Sequence, residues 1–160
     1  MTNTKTSCSI TRRALVLGLT ALSVSRFAVA ASPPRLYAQV WKDAHCGCCK
    51  DWVAHLEKHG FTASIADAGN STARAKLGMP QQFASCHTAV IQGFVIEGHV
   101  PAVDILRLIK ERPQAIGLAV PGMPIGSPGM DGATYGGRRD AYQVLLIRKD
   151  GSAVTFNSYS

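Results

Sequence analysis

His45-Cys46-Gly47-Cys48-Cys49-Lys50 sets three thiols within four positions, at the junction between a strand-like and a helix-like segment. Ahead of it, from Arg35 to Trp41, Leu36, Ala38 and Val40 alternate with Arg35, Tyr37 and Gln39, the period of a half-buried strand. Behind it, Cys49, Trp52, Val53 and Leu56 fall at i, i+3, i+4 and i+7, one face of a helix over Cys48 to His59 that Gly60 terminates. Phe61 to Asp67 again reads as a strand. Strand, helix and strand at these lengths imply a right-handed crossover between parallel strands. The chain is therefore expected to build an α/β sheet with helices on its faces.

The remaining segments extend that sheet. A short helix is expected at Ser71 to Leu77, with Asn70 as its cap. Thr88 to Gln92 and Phe94 to Gly98 read as strands about a tight turn at Gly93. Pro101 to Arg112 reads as a helix, with Ala102, Ile105, Leu106 and Ile109 on its inner face and Pro113 beyond its end. Tyr142 to Arg148 and Ala153 to Tyr159 form an added C-terminal hairpin about Asp150-Gly151. Between Pro121 and Gly137 six glycines and three prolines exclude helix and strand. A loop of that length in a small domain is usually functional or disordered. Within it Pro121-Gly122-Met123 recurs as Pro128-Gly129-Met130.

The first 30 residues carry Lys5, Arg12, Arg13 and Arg26 and no acidic residue, then an apolar run from Ala14 to Val24, then Ala28-Val29-Ala30. A basic head, a short apolar middle and a small-x-small end describe a secretory signal. The apolar run is too short to span a bilayer, which takes about 20 residues. The paired arginines Arg12-Arg13 are compatible with the twin-arginine route, although Leu15 stands where that signal usually has Phe. Residues 1–30 are thus expected to be a signal peptide, and residues 31–160 a single exported domain in the periplasm. Removing the four basic residues of the signal leaves 13 Lys and Arg against 10 Asp and Glu, a net charge of +3 in place of +7. So small an excess gives no case for nucleic-acid binding. No stable membrane insertion is expected after cleavage.

Cys8 leaves with the signal, and four cysteines remain. A bridge between the neighbours Cys48 and Cys49 would be strained. A thiol at a helix N-terminus meets the positive end of the helix dipole and unpaired N–H groups, which favour thiolate. Cys46 and Cys49 have Cys-x-x-Cys spacing, and Cys46-Gly47-x-Cys49-Lys50 resembles the thioredoxin active-site turn with Cys48 in place of proline. A dithiol exchanger needs two thiols, and a third beside them competes for the disulfide. Three clustered thiolates suit a soft cation, copper(I), zinc or iron–sulfur. Zinc fingers draw on two separated pairs, and iron–sulfur clusters on four spaced cysteines. Copper(I) accepts two or three thiolates, and bridging sulfurs allow several ions.

Cys86, just before the Thr88 strand, is either a fourth thiolate or a lone buried cysteine. His87 is either a ligand or a structural donor. His45 is a tuning group or a ligand, and His99 is ambiguous. His55 and His59, at i and i+4, form either a metal pair or, with Asp51 and Lys58, a solvated face. Met123 and Met130 are either a thioether lid for copper(I) or ordinary loop methionines.

His45-Cys46-Gly47-Cys48-Cys49, Ser85-Cys86-His87-Thr88-Ala89, Ile96-Glu97-Gly98-His99-Val100-Pro101 and Gly117-Leu118-Ala119-Val120-Pro121-Gly122-Met123-Pro124 resemble the CopG-type periplasmic copper-resistance proteins, a metal-binding family long catalogued as a domain of unknown function. The resemblance runs from about Leu36 to Tyr159. It implies a thioredoxin-like fold, a copper cluster bridged by cysteines and a part in copper tolerance, with interconversion of copper(I) and copper(II). The expected ligands are Cys46, Cys48, Cys49 and Cys86, with His87, Met123 and Met130 behind them. The expected partners are copper ions and other periplasmic copper-handling proteins. Two alternatives stand beside this reading: a thiol–disulfide oxidoreductase using Cys46 and Cys49, and a zinc-stabilised structural module.

Overall fold

A computed structural model of the chain describes Met1 and residues 36–160. The signal sequence, its cleavage site and Arg35 lie outside the described residues. Strand β1 (Leu36–Lys42) leads into helix α1 (Gly47–Lys58) and strand β2 (Phe61–Ala66), with β1 and β2 parallel as the crossover demands. Helix α2 (Ser71–Lys76) and a 3-10 turn at Gln81–Phe83 precede the hairpin of β3 (His87–Ile91) and β4 (Phe94–Glu97). Gln92 and Gly93 take φ of 51° and 86°, the left-handed pair that a two-residue hairpin turn requires. Helix α3 (Ala102–Glu111), strand β5 (Ala115–Ala119) and the hairpin of β6 (Tyr142–Arg148) and β7 (Ala153–Tyr159) complete the fold. The seven strands form one sheet in the order β2-β1-β3-β4-β5-β6-β7.

Strand β5 was not expected from the sequence. It joins β4 in parallel and β6 antiparallel, and so turns a separate C-terminal hairpin into a continuation of the main sheet. Its short run, Ala-Ile-Gly-Leu-Ala, carries Gly117, and glycine weakens a strand reading. The glycine is there for space: a Cβ at Gly117 would overlap the paired Val95 carbonyl across the β4–β5 ladder.

Each sheet face is covered. On one, Trp52, Val53 and Leu56 of α1 and Ala102, Ile105 and Leu108 of α3 pack on Ala38, Val40, Ala89, Ile91, Ile96 and Leu118. On the other, Met79 and Phe83 pack on Val95, Ala119 and Ile147. Full burial of each large side chain contributes roughly 1.5–3 kcal/mol. Trp52 also donates its indole N–H to the Val100 carbonyl at 2.9 Å, which ties α1 to the entry of α3.

The decisive register is β1 against β3. Because the two run antiparallel with Lys42 paired to His87, the start of β3 lies beside the end of β1, where the chain turns into α1. Among the described residues no helix is long and apolar enough to cross a membrane.

Candidate metal centre

The turn from β1 into α1 carries Cys46 at the helix N-cap position, then Cys48 and Cys49 in the first turn. Cys49 is fully buried, in line with Trp52, Val53 and Leu56. The β1–β3 register brings Cys86 to the same place across 36 intervening residues. The four Sγ atoms all lie within 4.8 Å of one another. Cys86 Sγ is 3.4 Å from Cys49 Sγ and 4.0 Å from Cys48 Sγ, and Cys48 Sγ is 3.6 Å from Cys46 Sγ. Cys46 and Cys49 form a disulfide, and Cys48 and Cys86 are free. The dipole argument for thiolates does not extend to Cys86. Burial, and after it the neighbouring Cys48 sulfur, pushes the Cys86 thiol up to about 12, so a bound cation must displace its proton.

Two histidines complete the cluster. His99 Nδ1 lies 2.8 Å from the Pro128 carbonyl, and since a carbonyl only accepts, the ring proton sits on Nδ1. The Nε2 lone pair is then directed at Cys86 Sγ, 3.0 Å away. His87 sets its Nδ1 3.4 Å from the same sulfur. His87 Nε2 is buried with no hydrogen-bond partner among the described residues, and its ring packs on Trp52 at 4.2 Å between centroids. Burial lowers both imidazoles below their ordinary range, His87 the further because His99 stands beside it. Neutral imidazole is the ligating form. Cys86, His87 and His99 thus make a second set of donors sharing Cys86 with the four sulfurs.

The glycine- and proline-rich loop packs over this cluster through its backbone. Gly129 has φ +85°, and a Cβ there would come within 2.5 Å of the Cys48 carbonyl oxygen and 2.8 Å of Trp52 N. Pro128 beside it supplies the carbonyl that orients His99. Met130 is buried, and its sulfur accepts the Tyr135 hydroxyl at 3.2 Å. Met123 is half exposed.

The comparisons with known proteins agree with this architecture. A family model described as "Protein of unknown function, DUF411" matches residues 83–130. No match is found among curated proteins. A solved structure titled "Copper resistance protein copG- Form 2" is 48% identical, with a TM-score of 0.73, over 79% of this chain and 100% of that one. Form 1 of the same title is 49% identical, with a TM-score of 0.71, over 79% and 98%. The chain belongs to the CopG copper-resistance family. In this CopG-family chain the matched segment holds Cys86, His87, His99, Met123 and Met130, while the three helix cysteines lie ahead of it.

Several residues stand elsewhere than expected. His45 is exposed and faces Asp43 at 3.5 Å, away from any buried donor set. His55 is half-buried rather than solvated: its Nε2 accepts the Ala102 N–H at 3.1 Å, at the opening of α3. Asn70 precedes α2 but makes no side-chain cap; its amide reaches the Ser85 carbonyl at 3.1 Å. Sequence reasoning left His99 ambiguous and did not single out Glu97. Glu97 ends the apolar strand Phe94-Val95-Ile96, and a carboxylate in such a strand signals a buried partner.

Proposed function

We propose that this protein binds copper(I), several ions per chain, on the thiolates of Cys46, Cys48, Cys49 and Cys86, and that it serves copper resistance in the periplasm. One observation carries the reading: four sulfurs converge within 4.8 Å where α1 opens, with His99 Nε2 directed at one of them. The donor set suits the ion. Clustered thiolates and neutral imidazoles select soft cations, and His87 Nδ1 and His99 Nε2 both lie beside the Cys86 sulfur. His87 and His99 would join the sulfurs as ligands, with Met123 and Met130 as thioethers from the covering loop. A bound copper ion would supply one-electron chemistry, copper(I) to copper(II). The Cys46–Cys49 pair can hold two electrons as a dithiol and release them as the disulfide. The copper-resistance titles of the relatives support the same reading. So does the order β2-β1-β3-β4 with the cysteine turn opening α1, the arrangement expected of a thioredoxin-like core. Residues 1–30 act in this reading as the export signal.

A second reading has its own support. The Cys46–Cys49 disulfide, with the Cys86 thiol 3.4 Å from Cys49 Sγ, is the geometry of thiol–disulfide exchange. Cys48 separates the two. Anaerobic copper(I) titration of the reduced domain against a chromogenic chelator is expected to give fewer ions per chain for both Cys48→Ser and Cys86→Ser. Full copper stoichiometry in both variants, with Cys48→Ser still catalysing disulfide exchange, would leave the oxidoreductase as the function.

A further inference from the structure

Glu97 is fully buried, and both of its carboxylate oxygens are committed to the segment that carries Cys86. Oε1 accepts the Ser85 N–H at 2.8 Å, on one side of Cys86-His87. Oε2 accepts the Thr88 hydroxyl at 2.6 Å, on the other side. The same carboxylate pairs with buried Arg74, whose Nε donates to Oε1 at 3.0 Å. Arg74 and Asn70 in turn donate to the Ser85 carbonyl at 3.4 and 3.1 Å. Both backbone polar groups of Ser85 are therefore held by side chains from α2, its preceding residue and β4. The Ser85 hydroxyl donates to the Gly122 carbonyl, which anchors the same residue to the start of the glycine-rich loop.

Stability alone is a poor account of such a network. A buried ion pair can often be replaced by apolar residues without loss, because desolvation offsets its attraction. Its position is the informative fact: the carboxylate bonds Ser85 and Thr88 and leaves free the two residues between them, Cys86, which faces the helix cysteines, and His87, whose Nδ1 lies beside the Cys86 sulfur.

We propose that Glu97 is a positioning residue for the metal centre: with Arg74 and Asn70 it clamps the backbone on both sides of Cys86-His87 and so holds the Cys86 sulfur within reach of Cys48 and Cys49. Its consequence for copper rests on the function proposed above; its geometry does not. Glu97→Gln keeps the shape and removes the charge that holds Arg74. Two measurements on the fully reduced protein test it. In the metal-free state, iodoacetamide should alkylate Cys86 faster in Glu97→Gln than in the parent, read by peptide mapping. With copper(I) under chelator competition, Glu97→Gln should bind about tenfold more weakly or worse, the usual loss when a group that orients a metal ligand is removed. Leu108→Ala, a cavity in the buried apolar cluster under α3, is the control for general destabilisation, and it should change neither readout.

Unchanged Cys86 alkylation in a folded Glu97→Gln overturns the clamp, and so does an equal change in Leu108→Ala. A parent that binds no copper(I) overturns the function instead, and the alkylation arm still decides the clamp. Should Glu97→Gln not fold, Asn70→Ala replaces it. That variant leaves the ion pair intact and removes the amide that Ser85 O, Thr88 Oγ1 and Glu97 Oε1 share, and an alkylation rate no faster than the parent's would sink the proposal.

Discussion

His55 shows how one side chain serves two helices. It sits on α1 next to His59, 4.4 Å away between ring centroids, and accepts the Ala102 N–H that α3 would otherwise leave without a partner. Only a neutral ring can do this. Burial first, and then the nearby His59, lowers its pKa from the ordinary 6.5 to about 4. A value depressed in the folded state means that the unfolded chain binds more protons between the two. The contribution is complete above about pH 6.5 and is lost as pH falls toward 4. Buried His87 and His99 shift in the same direction and add to the slope. The melting temperature of the metal-free protein is therefore expected to fall from pH 7 to pH 4, and His55→Gln should flatten part of that fall. Parallel curves for parent and variant would show that His55 is not the acceptor.

At the scale of elements, the covering loop and the first turn of α1 meet through a residue that must be glycine. Gly129→Ala would place a methyl group 2.5 Å from the Cys48 carbonyl oxygen at φ +85°. The left-handed conformation alone costs roughly 1–2 kcal/mol for a residue with a Cβ, and the clash is with backbone on both sides. The expected outcome is a lower melting temperature together with faster proteolysis within residues 121–137. Pro128 would also be drawn away from His99, freeing the ring to turn. Replacing Met123 and Met130 with Leu makes the opposite test of the same loop. Volume is kept, so stability should move by less than about 1.5 kcal/mol, while copper(I) affinity falls if the thioethers are ligands. Unchanged affinity would leave Met130 as packing beneath Tyr135 and Met123 as surface.

For the whole molecule, two core clusters lie on opposite faces of one seven-stranded sheet, and the fold is therefore expected to hold without a metal. Chelation of the purified domain should leave its far-UV circular dichroism unchanged. A collapse of that signal would favour the zinc-stabilised module, in which metal binding and folding are one event. Export is tested on the same scale: the mature chain is expected to begin at Ala31. An intact Met1 on protein from the cytoplasmic fraction would remove the periplasmic assignment.

Local spacing was enough to specify most of the elements. The alternation in β1, the Asp150-Gly151 turn between β6 and β7, the i, i+3, i+4, i+7 stripe of α1, and glycines at φ +88° after α1 and +86° between β3 and β4 are all short-range constraints that a sequence displays directly. The cysteine cluster announced soft-metal or redox chemistry for the same reason, since three thiols within four residues meet whatever the fold. Only the tertiary structure could decide the rest. Strand β5 went unread in the sequence, and only the Val95 carbonyl across the ladder shows why Gly117 stands in it. Asn70 has the composition of a helix cap, yet its amide is drawn to Ser85, Thr88 and Glu97. Cys86 and His99 join the helix cysteines because β3 runs antiparallel to β1 with His87 beside Lys42, and β4 returns antiparallel to β3. Strand order and register arise from contacts between distant segments, and no local pattern records which strand will lie beside which.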